Sequence, residues 1–138
     1  MDLLIRTAGV DDLDVAVELF TGYLDFYGVT PEPDRVQAFI AERLRTGDSV
    51  ILLAERGDRA LGLAQVFPTL SSLDLAPLWT LGDLVVVPEA RGQGVGRALL
   101  RAVCERAAAA GAACVALETA HSNTTAQALY ESEGFVRD

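Results

Sequence analysis

The chain has 138 residues, of which 51% are hydrophobic and 22% charged, and its formal net charge is −9. This length suits one domain, residues 1–138, with enough chain for a real core, and the composition excludes a disordered polymer. All 11 basic residues are arginine, and the acidic balance argues against nucleic acid as a partner.

No apolar run reaches the ~18–20 residues needed to span a membrane, so no membrane partner is expected. Met1-Asp2-Leu3-Leu4-Ile5-Arg6 lacks the basic-then-apolar pattern of a secretory signal, and a cytoplasmic location is expected.

Residues 3–8 read as a short strand. A helix follows, started by Asp11 or Asp12 as cap, with Val15, Ala16, Leu19, Phe20 and Tyr23 on one stripe, ending near Gly28. The prolines of residues 30–33 mark a linker, after which Asp34 caps a second helix bearing Val36, Phe39, Ile40 and Leu44. Residues 49–55 and 61–67 read as a hairpin around Gly57-Asp58-Arg59. Residues 68–74 read as a loop.

A long strand over 78–87 is interrupted by Gly82-Asp83, where the glycine signals a bulge. A helix over 95–110 stops at Gly111, a strand covers 113–119, a short helix starts at Asn123, and Phe135 begins a last strand. The order is β-α-α-β-β-β-α-β-α-β, a mixed-sheet α/β arrangement. Cys104 and Cys114 read as buried free thiols, and His121 as a loop residue. Neither type shows metal-ligand spacing, so no metal is expected.

Arg91-Gly92-Gln93-Gly94-Val95-Gly96 sits between the apolar run 84–87 and a helix. A helix start leaves backbone N–H groups without partners and collects partial positive charge, and glycines let a phosphate approach them. A P-loop reading fails, because Gly96 is followed by Arg97-Ala98 and the chain has no lysine. A dinucleotide fingerprint needs Gly-x-Gly-x-x-Gly, and too little chain follows Glu118 to complete a doubly wound sheet. A coenzyme A pyrophosphate loop, Arg-x-x-Gly-x-Gly, is met by Arg91, Gly94 and Gly96, and a ligand-free turn is the remaining alternative.

These residues resemble the GNAT superfamily of N-acetyltransferases. Residues 80–110 are similar to its principal acetyl-coenzyme A motif: a hydrophobic strand, VxPxxRGxGxG, then an amphipathic helix. Here it stands as Val85-Val86-Val87-Pro88-Glu89-Ala90-Arg91-Gly92-Gln93-Gly94-Val95-Gly96. Residues 115–135 look like its second motif, a strand followed by asparagine, alanine and LYxxxGF, here Asn123, Ala126, Leu129, Tyr130, Gly134 and Phe135. The opening IRTAGVDDLDVAVELF is similar to the usual first strand and helix, so the resemblance covers the whole chain. The family fold carries a further strand after the one at Phe135. Its absence leaves a truncated edge or one completed by a partner, which makes a homodimer an expectation.

The resemblance implies transfer of the acetyl group of acetyl-coenzyme A to a primary amine of a small molecule or peptide by direct attack in a ternary complex. A non-catalytic acyl-coenzyme A sensor is the alternative class, and a nucleotide-linked oxidoreductase a third. The pyrophosphate would lie on the N–H groups of Gly92, Gln93, Gly94, Val95, Gly96 and Arg97. Arg91 and Arg97 would add charge-assisted contacts to the phosphates, with stapling of the loop as the alternative for Arg91. The backbones of Val85 and Val87 would pair with the pantetheine arm, with an N–H near Val85 polarising the thioester.

Asn123 caps a helix, touches the arm, or does both. Tyr130 would protonate the departing thiolate, against the alternative of a packed helix tyrosine. Glu118 and Asp83 are the candidate bases, each with a structural alternative: an arginine partner for Glu118 and a local hydrogen bond for Asp83. Tyr23, Phe26, Tyr27 and Trp79 would wall the acceptor cleft, with Asp25 nearby.

Overall fold

The computed structural model describes residues 2–119 and 121–137. Its elements in chain order are β1 (Leu3–Thr7), α1 (Leu13–Phe26), α2 (Pro33–Thr46), β2 (Val50–Arg56), β3 (Arg59–Ser71), β4 (Ala76–Val86), α3 (Val95–Ala109), β5 (Val115–Leu117) and α4 (Thr124–Ser132). The five strands form one sheet in the order β1-β2-β3-β4-β5, antiparallel except for the β4–β5 pair. Short turns join β2 to β3 and β3 to β4, whereas α1 and α2 lie between the antiparallel neighbours β1 and β2. The parallel step from β4 to β5 needs a crossover, and α3 supplies it. Among the described residues, no helix is long and apolar enough to cross a membrane.

Period-two alternation sends successive side chains of each strand to opposite faces. Ile51, Leu53 and Leu63 meet Ala16, Leu19, Phe20, Val36 and Ile40 of α1 and α2. Leu52, Ala64, Val66 and Leu81 meet Val95, Leu99, Leu100 and Val103 of α3, with Leu129 and Tyr130 of α4 against the same cluster. The sheet is thus buried on both sides by the helices that its own alternation calls for.

The bulge expected at Gly82 is present. Gln65 pairs with Asp83, but Val66 pairs with Leu81, so Gly82 is the extra residue on β4. One inserted residue reverses the in–out alternation of everything beyond it. Trp79 and Leu81 face the α3 side, whereas Val85 packs on the α1–α2 side. Asp83 is turned toward α1 by the same step. A Cβ at Gly82 would lie 2.5 Å from Phe67 Cε2. Gly82→Ala should therefore cost about 1–3 kcal/mol, read as a lowered midpoint in urea unfolding at unchanged slope.

Several local expectations are corrected. A short 3-10 turn, Val10–Asp12, precedes α1, and Asp12 stands at the N-cap of α1 as expected but makes no side-chain cap bond. Asp12 instead accepts the Gly9 N–H at 2.8 Å and two bonds from Arg6, whose guanidinium holds its carboxyl down to about 2. Pro33, not Asp34, opens α2, since the N–H that proline lacks has no role in a first helical turn. Residues 68–71, expected as loop, continue β3, because the ladder with β4 runs on to Ser71↔Ala76.

β5 is shorter than the expected 113–119. The strand expected from Phe135 is not formed. The Phe135 N–H is spent on the Tyr130 carbonyl at 3.0 Å, ending α4, and the described residues after it do not pair with the free edge of β5. Cys114 is exposed rather than buried, because β5 is an edge strand, and Cys104 is half-buried.

Candidate functional site

β5 pairs with β4 only over Trp79↔Val115 to Leu81↔Leu117. Beyond the bulge the two strands part, and a cleft of 940 Å³ opens between them. One wall is β4 from Leu81 to Val86, and another is the turn 90–97. The far side is Glu118, Thr119, Asn123 and α4, and the remaining end is Tyr23, Phe26 and Tyr27 of α1. A smaller groove of 390 Å³ lies along the free edge of β5. Its one carboxylate, Glu133, is already tied to Arg97 and Arg101.

The turn is built for an anion. Gly94 holds φ +83°, a left-handed conformation that side chains with a Cβ adopt reluctantly, and α3 starts directly after it. The first intrahelical bond is Ala98 N–H to the Gly94 carbonyl at 3.0 Å. The N–H groups of Val95, Gly96 and Arg97 therefore have no helical acceptor. No side chain caps them and no acidic residue stands in the first turn. Gln93 turns outward, bonding Arg56 at 3.2 Å and the Glu89 carbonyl at 3.2 Å, so it braces the loop from behind.

Arg91 folds its Nε back onto the Val86 carbonyl at 3.2 Å. Arg97 bonds Ser132 at 2.9 Å and Glu133 at 2.5 Å, tying α3 to α4. Arg91 thus braces the loop, and Arg97 joins α3 to α4.

The strand parity overturns one expectation. Val87 N–H donates to the Leu61 carbonyl at 2.9 Å. In an antiparallel ladder every second residue exchanges both bonds with its partner, so Val85, opposite Leu63, also points its backbone at β3. The β4 groups left facing the cleft are those of Leu84 and Val86. Trp79 N–H bonds Cys114 on the β5 side at 3.1 Å, and the bulge at Gly82 then switches that side from odd to even residues. Val85 and Val87 therefore turn their backbones to β3, and those of Leu84 and Val86 face the cleft, the Val86 carbonyl already accepting from Arg91 Nε.

Trp79 also departs from its expected role. It is 7% exposed, packed in the core on the α3 side, and does not line the cleft. Before the bulge, the face it occupies is the buried one.

Tyr23, Phe26 and Tyr27 line one end of the cleft. Their rings form a chain, Tyr23 to Tyr27 at 5.0 Å and Phe26 to Tyr27 at 5.1 Å between centroids. The Tyr23 hydroxyl donates to the Gly82 carbonyl at 3.1 Å, pinning α1 to the bulge. Burial, then the nearby Asp83 carboxylate, pushes its phenol well above the ordinary range.

Asp83 is half-buried at this end, and its Oδ2 accepts from Gln65 Nε2 at 2.7 Å. Burial pushes its carboxyl above the usual range, while hydrogen bonds from Gln65 and Tyr23 oppose that shift. Both readings of Asp83 meet here: it makes a structural hydrogen bond and lines the cleft. Gln65 was not anticipated, although a lone amide within the apolar run 61–67 was the available signal.

Across the cleft, Asn123 accepts the Ala126 N–H at 3.2 Å, capping α4, while also lining the cavity. Tyr130 is half-buried, its ring 6.0 Å from Phe135. Burial first, then Tyr27, raises its phenol above the ordinary value, so it holds its proton at neutral pH. Glu118, exposed just past β5, lines the same cleft.

Comparisons with known proteins agree with this geometry. The model of a family described as "Acetyltransferase (GNAT) family" matches residues 16–135. The chain is 39% identical to "Uncharacterized N-acetyltransferase YhfO" of Bacillus subtilis (strain 168), over 97% of this chain and 90% of that protein. It resembles the crystal structure of a probable acetyltransferase with TM-score 0.92 and 37% identity, over 100% of this chain and 91% of the other. The fold is shared with aminoglycoside N-acetyltransferase AAC(6')-Iy, solved in complex with CoA, at TM-score 0.84 and 22% identity over 99% of this chain and 89% of that one.

Proposed function

Because the chain belongs to the GNAT family of acetyltransferases, we propose that it transfers the acetyl group of acetyl-coenzyme A to a primary amine of a small molecule or peptide, by direct attack within a ternary complex. The observation that carries this reading is a single cleft. It joins the uncapped start of α3, the free edge of β4, a proton-bearing tyrosine and a carboxylate of raised proton affinity.

The N–H groups of Val95, Gly96 and Arg97 seat the pyrophosphate at the helix N-terminus. The Leu84 backbone and the Val86 N–H pair with the pantetheine amides as an added strand would, the Val86 carbonyl being held by Arg91. The Leu84 N–H, nearest the bulge, polarises the thioester carbonyl. Asn123 steadies the arm from the other wall.

The amine arrives as an ammonium, with a reference pKa near ~10.4, and must lose a proton before it has a lone pair. Asp83 accepts that proton, and Glu118 is the second candidate for the same task. A C–N bond forms at the carbonyl, the C–S bond breaks, the Tyr130 hydroxyl gives its proton to the leaving sulfur, and the second proton shed by the nitrogen restores the Tyr130 phenol. Tyr23, Phe26 and Tyr27 present aromatic faces to the cation before it is neutralised.

Calorimetric titration with acetyl-coenzyme A, with NAD as control, tests the reading. Saturable binding of acetyl-coenzyme A alone, followed by thiol release in the presence of primary amines, is the expected result. Binding without thiol release from any amine would favour an acyl-coenzyme A sensor, and absence of binding would remove both.

A further inference from the structure

Gln65 is completely buried, and Ser49 and Gln65 are the buried polar side chains among the described residues. An amide in such a position costs free energy unless both ends are hydrogen-bonded, and an apolar residue would fill the same space without that demand. Both ends of Gln65 are satisfied. Oε1 accepts from Ser49 Oγ at 2.9 Å and Nε2 donates to Asp83 Oδ2 at 2.7 Å.

The three groups form a relay from the residue before β2, through the middle of β3, to the bulged segment of β4. Gln65 stands directly opposite Asp83 in the ladder, at the last pair before the register shifts. Were Gly82 paired opposite Gln65 in a regular ladder, Asp83 would fall opposite Ala64 and face α3; with Gly82 bulged out, Asp83 takes the place opposite Gln65. The bulge and the amide therefore serve one carboxylate.

We propose that Gln65 is a positioning residue: braced by Ser49, its amide N–H fixes one oxygen of Asp83 and keeps the carboxylate ionised and aimed at the acceptor ammonium. This rests on the reading of Asp83 as the proton acceptor. Ser49 sets the direction of the amide, because its hydroxyl bond occupies the oxygen end and leaves the N–H end for Asp83.

The titratable groups facing this end of the cleft are the phenols of Tyr23 and Tyr27 from α1 and of Tyr130 from α4, Glu118 beyond β5, and Arg91 and Arg97 of the loop and α3. The phenols are uncharged across the acid range. Glu118 is the one other carboxylate lining the cleft among the described residues. Glu118→Gln serves as the control that separates its titration from that of Asp83.

A donor to a carboxylate favours its charged form, so removing the donor raises the carboxyl further. A base works only when ionised, so the acid limb of kcat/KM against pH must move to higher pH. Gln65→Met, similar in volume and apolar, should shift that limb up by about one pH unit. Ser49→Ala, which frees the amide to turn, should shift it less in the same direction. Coenzyme binding should stay within about twofold in both, since neither residue lines the cleft.

The carboxyl midpoint of Asp83, followed by carbon NMR in the whole protein, should move with the limb. A loss of kcat/KM that is uniform with pH, with limb and NMR midpoint unmoved, would make Gln65 a packing residue and overturn the proposal. If Gln65→Met fails to fold, the Ser49→Ala limb and midpoint decide alone. A protein that acetylates no amine would defeat the functional reading, whereas the NMR midpoints would still test the relay.

Discussion

Tyr130→Phe is expected to lower kcat by about 10²–10⁴-fold while leaving the coenzyme dissociation constant nearly unchanged. The substitution removes one hydroxyl and keeps the ring. The ring packs beside Phe135 and against Leu129's side of the core, so the phenyl should preserve α4 and the cleft wall. The lost atom matters only when charge appears on sulfur. The phenol bears its proton at neutral pH because burial and Tyr27 raise it above its ordinary value. The donor is therefore loaded at neutral pH. Steady-state kinetics beside calorimetry check this, and an unchanged kcat would remove Tyr130 from the mechanism.

Much of this site is legible in the amino-acid order because its parts are local. The glycine turn, the helix behind it and the apolar strand before it are contiguous, and their chemistry follows from what a helix start leaves unpaired. Asn123 and Tyr130 fall within one short segment, and helical spacing sends both toward the cleft. Gly82 could be read as a bulge.

What the bulge does could not be read without the ladder. A single inserted residue exchanges the roles of odd and even positions. The backbone facing the cleft therefore belongs to Leu84 and Val86 rather than Val85 and Val87, and Trp79 is in the core. Gln65 was hidden for a related reason: its partner lies 18 positions away and is met only through the β3–β4 register. The last strand failed because strand formation is not a local property. Phe135 and Val136 have the composition of a strand, but the Phe135 N–H closes α4 and neither residue pairs with the free edge of β5.

Asp83→Asn should separate activity from stability. As the proton acceptor, Asp83 contributes about 10²–10⁴-fold to the rate, and the asparagine variant should lose that factor together with the acid limb of kcat/KM. The stability effect has the opposite sign. Burial raises the carboxyl of Asp83 in the folded protein above its unfolded value, so between those two values the folded state binds more protons than the unfolded one. Stability therefore falls as pH climbs from about 3.9 through the raised value, and the cost is complete above it.

Asparagine abolishes that titration and still accepts the Gln65 N–H through its side-chain oxygen. At neutral pH the variant should melt no lower than the parent, and the parent's advantage should appear only toward acid. A melting temperature that drops at neutral pH alongside the rate would assign Asp83 to the fold and leave Glu118 as the base. A rate lost at an unchanged or higher melting temperature would mean that this carboxylate is kept in a costly place because the amine requires it there.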